Sequence, residues 1–320
     1  MQACIDLGSN SFHLLIGEWI DGRIQIIERC SEKVQLGTGV RSSKLISPEA
    51  FQRGIDCLKR FKLLMDAYPI SQYWALGTNT FRVAHNANEF IAEAGKLGID
   101  ISIISGVQEA VLIYAGVITS LPRTDKYRLV IDIGGGSTEV IIGKGHDRLL
   151  TESLWIGSVT WRDRFFSEPG LNQAQLEAKM DEGLEAAHLV FDKVVKGVRK
   201  FGWEEAYASS GTVKMLSQIC EFHGYGQNQI LLRGLHELKP RLAASIAEDR
   251  EVPGLKERRR DLLLAGWCVM TALMEAYGVE SINFSATALR EGMLDFMVKN
   301  EKTMGAMVKA DLPTVVPASD

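Results

Sequence analysis

Ile5-Asp-Leu-Gly-Ser-Asn-Ser11 and Ile131-Asp-Ile-Gly-Gly-Gly-Ser137 align without a gap, at the constant offset of 126 residues that separates Asp6 from Asp132. Ile16-Gly17 meets Ile142-Gly143 at the same offset. Each copy reads as a strand ending in Asp, a turn of small residues with a Ser, and a second strand. Self-similarity of this kind signals duplication, so two related α/β domains are expected whose halves face each other.

Strands and helices alternate outward from these turns. Ala3 to Leu7 and Leu14 to Trp19 read as strands around the first turn, with a third at Ile24 to Arg29. Ser47 is a good N-cap with Pro48 at the first helical position, opening a helix striped by Phe51, Ile55, Leu58, Phe61 and Met65. Tyr73 to Leu76 and Ile99 to Ile104 read as short buried strands. Asn86 to Leu97 is a helix closed by Gly98, and Ser105 to Ser120 another. Leu121-Pro-Arg-Thr-Asp-Lys126 interrupts the pattern and marks a domain boundary. Arg128 to Ile133 and Glu139 to Ile142 then repeat the opening. Asn172 starts a long helix through Leu176, Met180, Leu184, Ala187, Phe191, Val194 and Val198. The expected domains are 1–121, joined by a C-terminal helix at about 288–302, and 122–287, with a flexible tail at 303–320.

Composition narrows the class. The chain has 320 residues, 46% hydrophobic and 24% charged, which fits two globular domains. A net charge of −4 and an isoelectric point near 5.9 argue against a broad nucleic-acid surface. A polyanionic ligand must then be met locally, by a few Arg and Lys, helix N-termini and metal ions. The five cysteines form no CxxC pair and read as buried free thiols in a reducing compartment. The longest apolar stretch, Leu262 to Met274, falls short of the roughly 20 residues a bilayer needs, and the strand-like start leaves no room for a signal peptide. No membrane partner and a cytoplasmic location are expected. The histidines show no close ligand spacing, so no zinc site is expected. Neither a GKS/GKT loop nor a GxSxG elbow is present.

A turn of small residues offers several backbone N–H groups on one concave side, which suits a phosphate. Gly134, Gly135 and Gly136 have no side chain to block approach, and Ser137 and Thr138 add hydroxyls. Asp132 stands where a carboxylate could hold a hydrated Mg2+ against the phosphates. Gly8-Ser9-Asn10-Ser11 is the same device with polar side chains. The alternative is a plain hairpin turn in which Asp132 caps an amide. Glu109 is the only formally charged side chain between Ile101 and Pro122, on a helix opened by the capping box Ser105-Gly-Val-Gln108. It either complements the helix dipole or serves as a general base with a raised pKa. Arg82 leaves the polar loop Gly77-Thr-Asn-Thr-Phe81 and either grips phosphate or forms a surface salt bridge. Tyr207-Ala-Ser-Ser-Gly-Thr212 leads from strand to helix, so Ser210 and Gly211 could bring N-terminal amides to a ligand. Lys256-Glu-Arg-Arg-Arg260 is either a solvated helix face or a steering patch for a polyanion.

With these motifs in this order, the sequence resembles the Ppx/GppA phosphatase family of exopolyphosphatases and guanosine pentaphosphate phosphohydrolases. The landmarks are Asp6-Leu-Gly-Ser-Asn-Ser-Phe-His13, Gly77-Thr-Asn-Thr-Phe-Arg82, Ser105-Gly-Val-Gln-Glu-Ala110, Asp132-Ile-Gly-Gly-Gly-Ser-Thr-Glu139, Ser210-Gly-Thr212 and Leu289-Arg-Glu-Gly292. The resemblance implies the actin-like ATPase fold, two ribonuclease-H-like domains around an interdomain cleft, in its short two-domain form. It implies Glu109 as catalytic base, and Mg2+ or Mn2+ near Asp132 and Glu139, with Asp6 as a third carboxylate. The candidate phosphate ligands are Ser9, Asn10, Ser11, Arg82, Gly134, Gly135, Gly136, Ser137, Thr138, Ser210 and Gly211. The family usually has Glu where this chain has Gln108, which keeps the cap. The expected reaction is attack by water on the terminal phosphorus of inorganic polyphosphate or guanosine pentaphosphate. A small-molecule kinase or a non-catalytic phosphate or nucleotide sensor of the same fold are the alternatives. The sequence admits a homodimer without demonstrating one.

Overall fold

The computed structural model describes residues 1–21, 23–302 and 316–317. The chain divides into two compact units, Met1–Pro122 with Thr287–Asp320, and Arg123–Ala286.

The first unit runs β1 (Gln2–Leu7), β2 (Ser11–Ile20), β3 (Arg23–Lys33), α1 (Val40–Ser43), α2 (Pro48–Met65), β4 (Gln72–Gly77), α3 (Asn79–Val83), α4 (Ala87–Gly95), β5 (Ile101–Ile103) and α5 (Gly106–Thr119). Its sheet has the order β3-β2-β1-β4-β5, the first three strands antiparallel and the last three parallel. Cys4 and Ile5 are both fully buried, as successive residues of a strand must be when helices cover both faces. On one side Ile5, Leu14 and Ile16 share a core with Ile55, Leu58 and Phe61 of α2, and Phe12, Phe51 and Phe81 meet Phe90 edge-on. Ser47 caps α2 by accepting from the Ala50 amide.

The second unit runs β6 (Tyr127–Ile133), β7 (Thr138–Lys144), β8 (Asp147–Leu154), α6 (Ser158–Phe165), α7 (Gln173–Phe191), α8 (Val195–Phe201), β9 (Glu205–Ser209), α9 (Gly211–Phe222), β10 (Gln229–Leu231), α10 (Leu232–Ala247), a 3-10 turn (Glu257–Leu262), α11 (Leu263–Tyr277) and β11 (Ser281–Phe284). The strand order is β8-β7-β6-β9-β11-β10. Apart from the added β10 this is the order of the first unit, so one ribonuclease-H-like arrangement is present twice. The apolar run from Leu262 is α11, buried on all sides except at Glu275. No helix among the described residues is long and apolar enough to cross a membrane. Back in the first unit, α12 (Leu289–Lys302) packs on α5 with almost no gap. A Cβ on Gly116 would lie 1.8 Å from the Ala288 carbonyl oxygen, and one on Gly292 1.8 Å from that of Leu112.

The repeat is one of register as well as sequence. Leu7 pairs with Phe12 and Asp6 with His13; Ile133 pairs with Thr138 and Asp132 with Glu139. The second and third strands of each unit slip register at Ile16/Gly17 and at Ile142/Gly143. The matching Ile-Gly pairs thus lie opposite one bulge kept in both copies, whose extra residues are Ile27 and Leu149 on the third strands.

Three sequence expectations are corrected, and one strand went unexpected. Arg82 sits on the short helix α3 and not in a loop. The helix expected from 172 to 198 is broken after Phe191, where the Val194 amide donates to the Phe191 carbonyl in a tighter turn. Phe191 and Val198 are buried on either side, so the seven-residue spacing carries through and hides the break. Strand β8, half-exposed and polar, gave no apolar signal. Lys256–Arg260 leads into a 3-10 turn and not an α-helix. The tail at 303–320 lies outside the described residues except for β12 (Val316–Pro317), which pairs with β4.

Candidate active site

In the first unit, the turn after β1 is held from behind. The Ser9 carbonyl accepts from the Gly37 amide at 2.8 Å, and the Asn10 carbonyl from Val34 and Gln35. Thr80 Oγ1 donates to the buried Ser9 Oγ at 2.8 Å, a bond that uses an acceptor site of the Ser9 hydroxyl and not its O–H. Asn10 Nδ2 donates to Ser11 Oγ at 3.3 Å, and Asn10 Oδ1 is buried without a partner. As placed, Asn10 turns an acceptor inward, which suits water better than a phosphate oxygen.

The parallel crossing from β4 brings α3 beside the start of α5. Arg82 Nη1 donates to Glu109 Oε2 at 2.9 Å and to the Ile104 carbonyl at 2.8 Å. Both side chains are largely enclosed, 16% and 11% exposed. The Ser105–Gln108 capping box fixes the first turn of α5 and so aims Glu109. Burial pushes the Glu109 carboxyl above its ordinary range, and the charge and hydrogen bond of Arg82 pull it back. Asp6 is pushed up to about 7, first by burial; Arg290 opposes this, while Glu109 and Glu291 add to it. Arg290 Nη1 lies 3.4 Å from His13 Nδ1, directly across the strand pair from Asp6. Asp6 therefore belongs to a cluster of the first unit.

The turn after β6 is organised by its carbonyls. The Gly134 amide donates to the Ser137 carbonyl at 2.9 Å. The Gly134 carbonyl accepts from the Ser158 amide, and the Gly135 carbonyl from those of Val159 and Thr160, all at the N-terminus of α6. In a trans peptide the N–H points opposite to the C=O. The amides of Gly135 and Gly136 therefore both face away from α6, making a two-donor concavity of the kind that holds anions. Gly157 makes this possible, since a Cβ there would lie 2.5 Å from the Gly135 carbonyl carbon and oxygen.

A row of side chains crosses the sheet beside this turn. Ser153 Oγ donates to Glu139 Oε1 at 2.8 Å, and Ser209 Oγ to Asp132 Oδ1 at 2.9 Å. Ser153, Glu139, Asp132 and Ser209 are register partners on neighbouring strands, so all four share one face. Thr138 alternates to the other face, where its hydroxyl is fully buried and donates to the Ile156 carbonyl. Expected among the phosphate ligands, it serves the fold.

Ser210 is held at φ 104°, a backbone region that non-glycine residues rarely adopt. Its hydroxyl accepts from the Thr212 and Val213 amides, so the α9 amides expected to reach a ligand are largely taken by this cap. The residue that sequence reasoning did not single out is Arg259. Its guanidinium lies against Gly211, where a Cβ would be 1.9 Å from Nη2. Arg259 forms no ion pair among the described residues. The basic run was the signal, but nothing in it shows which of its four cations turns inward.

Two carboxylates on one sheet face are hard oxygen donors of the number that Mg2+ or Mn2+ takes from protein, the rest coming from water and phosphate. Among the described residues no group of three or more His, Cys, Asp or Glu is arranged to hold a metal, so a closed protein cage is not present.

A model of the Ppx/GppA phosphatase family matches residues 15–301. The guanosine-5'-triphosphate,3'-diphosphate pyrophosphatase of Photobacterium profundum is 36% identical over 295 residues, 92% of this chain; the chain spans 58% of the length of that relative. An exopolyphosphatase from Cytophaga hutchinsonii has 28% identity and a TM-score of 0.79, covering 93% of this chain and 98% of its own. A Ppx/GppA family member from Aquifex aeolicus has 26% identity and a TM-score of 0.74, covering 95% and 99%. The doubled strand order, the paired Asp-Gly turns and these likenesses agree that the chain belongs to the Ppx/GppA phosphatase family.

Proposed function

We propose that this chain is a divalent-metal-dependent phosphohydrolase that releases the terminal phosphate of inorganic polyphosphate or guanosine pentaphosphate. The observation that carries this reading is the glycine turn Gly134–Ser137. Its carbonyls are tied down and its amides turned outward, beside two carboxylates on one sheet face. The names of the Photobacterium and Cytophaga relatives support the same class of reaction.

Each part has a chemical role. The Gly135 and Gly136 amides bind phosphate oxygens, and Arg259 adds positive charge at Gly211. Asp132 and Glu139 would hold Mg2+ or Mn2+, which offsets charge on the phosphate oxygens. Glu109 accepts a proton from the attacking water as the water oxygen bonds to the terminal phosphorus. The bridging P–O bond breaks, and its electron pair leaves with the shortened chain. A carboxyl raised by burial is a stronger base for this step than an exposed one. Arg82 opposes the upward push of burial on the Glu109 carboxyl and aims it. Both of its bonds leave from Nη1, so Nε and Nη2 remain for phosphate oxygens.

The test is phosphate release from inorganic tripolyphosphate and from guanosine pentaphosphate, with Mg2+ or Mn2+ and no acceptor. Release from either, abolished by chelator, is expected. A requirement for an acceptor would make the chain a kinase; binding without turnover at any metal concentration would make it a sensor.

A further inference from the structure

Lys214 is exposed on α9, between the buried Val213 and Met215. Its ammonium group has no hydrogen-bond or ion-pair partner among the described residues. Helix geometry makes Arg259 its neighbour. A Cβ on Gly211 would lie 1.9 Å from Arg259 Nη2 and 2.3 Å from Cζ, so the guanidinium occupies the place of a Gly211 side chain. Side chains three apart on a helix stand about 5–6 Å from each other at Cβ, and each leans toward the N-terminus. Lys214, three residues after Gly211, therefore leans back toward the Arg259 guanidinium. Burial and then the Arg258 charge disfavour the Arg259 cation, while Asp261, which opposes them, is bonded to Arg162 at 2.8 Å. Cations held side by side repel each other, and an anion between them removes that cost.

The sheet ties this pair to the glycine turn. Strands β6 and β9 are parallel neighbours with Asp132 opposite Ser209. Gly134 and Gly211 each come two residues later, so both elements leave the carboxyl ends of strands about 5 Å apart. Ligands of open α/β sheets bind outside those ends. From the turn, Gly211 with its guanidinium is one strand away, and Lys214 is a helical turn further. A single phosphate on the Gly135 and Gly136 amides stops short of Lys214, whereas a chain of phosphates can reach it. We infer that Lys214 is a substrate-binding residue, forming with Arg259 a subsite for the phosphate groups behind the terminal one. Inorganic polyphosphate and the 5'-phosphates of a nucleotide share that chemistry. On the phosphohydrolase reading of the same turn, on which this rests, the subsite makes affinity grow with the number of phosphates.

The experiment follows hydrolysis of tripolyphosphate and of guanosine pentaphosphate by wild type, Lys214→Ala and Lys214→Arg, with orthophosphate as competing product. Lys214 is exposed and alanine favours a helix, so Lys214→Ala is expected to fold. Loss of one charge-assisted contact predicts a KM raised about 10-fold in Lys214→Ala, with kcat within about 3-fold of wild type. Lys214→Arg should return KM to within about 3-fold, and the inhibition constant of orthophosphate should move less than about 3-fold in both variants. A raised KM on either substrate, with orthophosphate unmoved, supports the subsite and names the chain it serves. An unchanged KM on both, or an equal rise for orthophosphate, overturns it. If wild type releases phosphate from neither substrate, the phosphohydrolase reading falls by itself. Calorimetric Kd values for tripolyphosphate and orthophosphate then decide the subsite. Tripolyphosphate bound about 10-fold more weakly by Lys214→Ala, with orthophosphate unchanged, supports it; equal binding, or none by wild type, overturns it.

Discussion

At the end of β1 the repeated turn is flanked by an acid and a cation that hold each other; at the end of β6 the turn itself is glycine backbone, beside two carboxylates held by serines. Arg82 is bonded to Glu109, Asp6 is flanked by Arg290, and Ser9 Oγ accepts from Thr80. Across the same register the second copy replaces His13 by Glu139 and sets three glycines where the first has Gly8, Ser9 and Asn10. Strand order, pairing and even the Ile-Gly bulge are kept, while the chemistry has separated. On the proposed reading, the first copy would supply a base and its positioning cation, and the second amides and two carboxylates suited to a metal. Duplication preserved what the sheet needs and left free what only the ligand feels.

The packing of the two units differs as sharply, and breaking it is the largest effect expected. In the first unit α5 and α12 touch backbone to backbone at Gly116 and Gly292, so Gly292→Ala drives a methyl into the Leu112 carbonyl. A loss of about 3 kcal/mol or more is expected in denaturant melts, because neither helix backbone can yield without moving Glu109 or Arg290. In the second unit a Cβ on Gly183 would sit 3.1 Å from Cys268 Sγ, a side chain with some freedom to move. Gly183→Ala is therefore expected to cost about 1 kcal/mol or less. Equal losses from the two substitutions would remove this contrast.

A smaller effect sharpens the electrostatic side. Asp6 has a carboxyl pushed from 3.8 to about 7 by burial. A raised acid favours the folded state while protonated, so its contribution is complete below about pH 4 and is lost as pH rises through about 7. Measured in chelator, Asp6→Asn should gain melting temperature over wild type as pH climbs through that window, and the gain should level off above it. Parallel curves would mean that Asp6 is not held in this way.

Much of this was legible in the sequence, for identifiable reasons. The paired turns and their strands could be read because the features that make them, glycine, a terminal Asp and apolar alternation, lie within a few consecutive residues. The Ser105–Gln108 cap was readable on the same grounds. The Arg82–Glu109 pair was not, since it joins α3 to α5 through a crossing set by the sheet order. Nor was the lodging of Arg259 on Gly211, where the decisive feature is the space above a glycine. Thr138 misled because its motif position says hydroxyl while the pleat turns that hydroxyl into the core.

The division of labour between the two copies is tested most directly by separating kcat from substrate affinity in one variant of each. Phosphate release gives kcat and calorimetry with Mg2+ gives Kd, for Glu109→Gln and for Gly157→Ala. Glu109→Gln should lower kcat about 10²- to 10⁴-fold while Kd stays within about 3-fold of wild type. Gly157→Ala displaces the turn and should weaken binding about 10-fold or more through lost charge-assisted bonds. A Glu109→Gln protein that turns over near the wild-type rate, or one that loses binding while Gly157→Ala keeps it, would contradict the account.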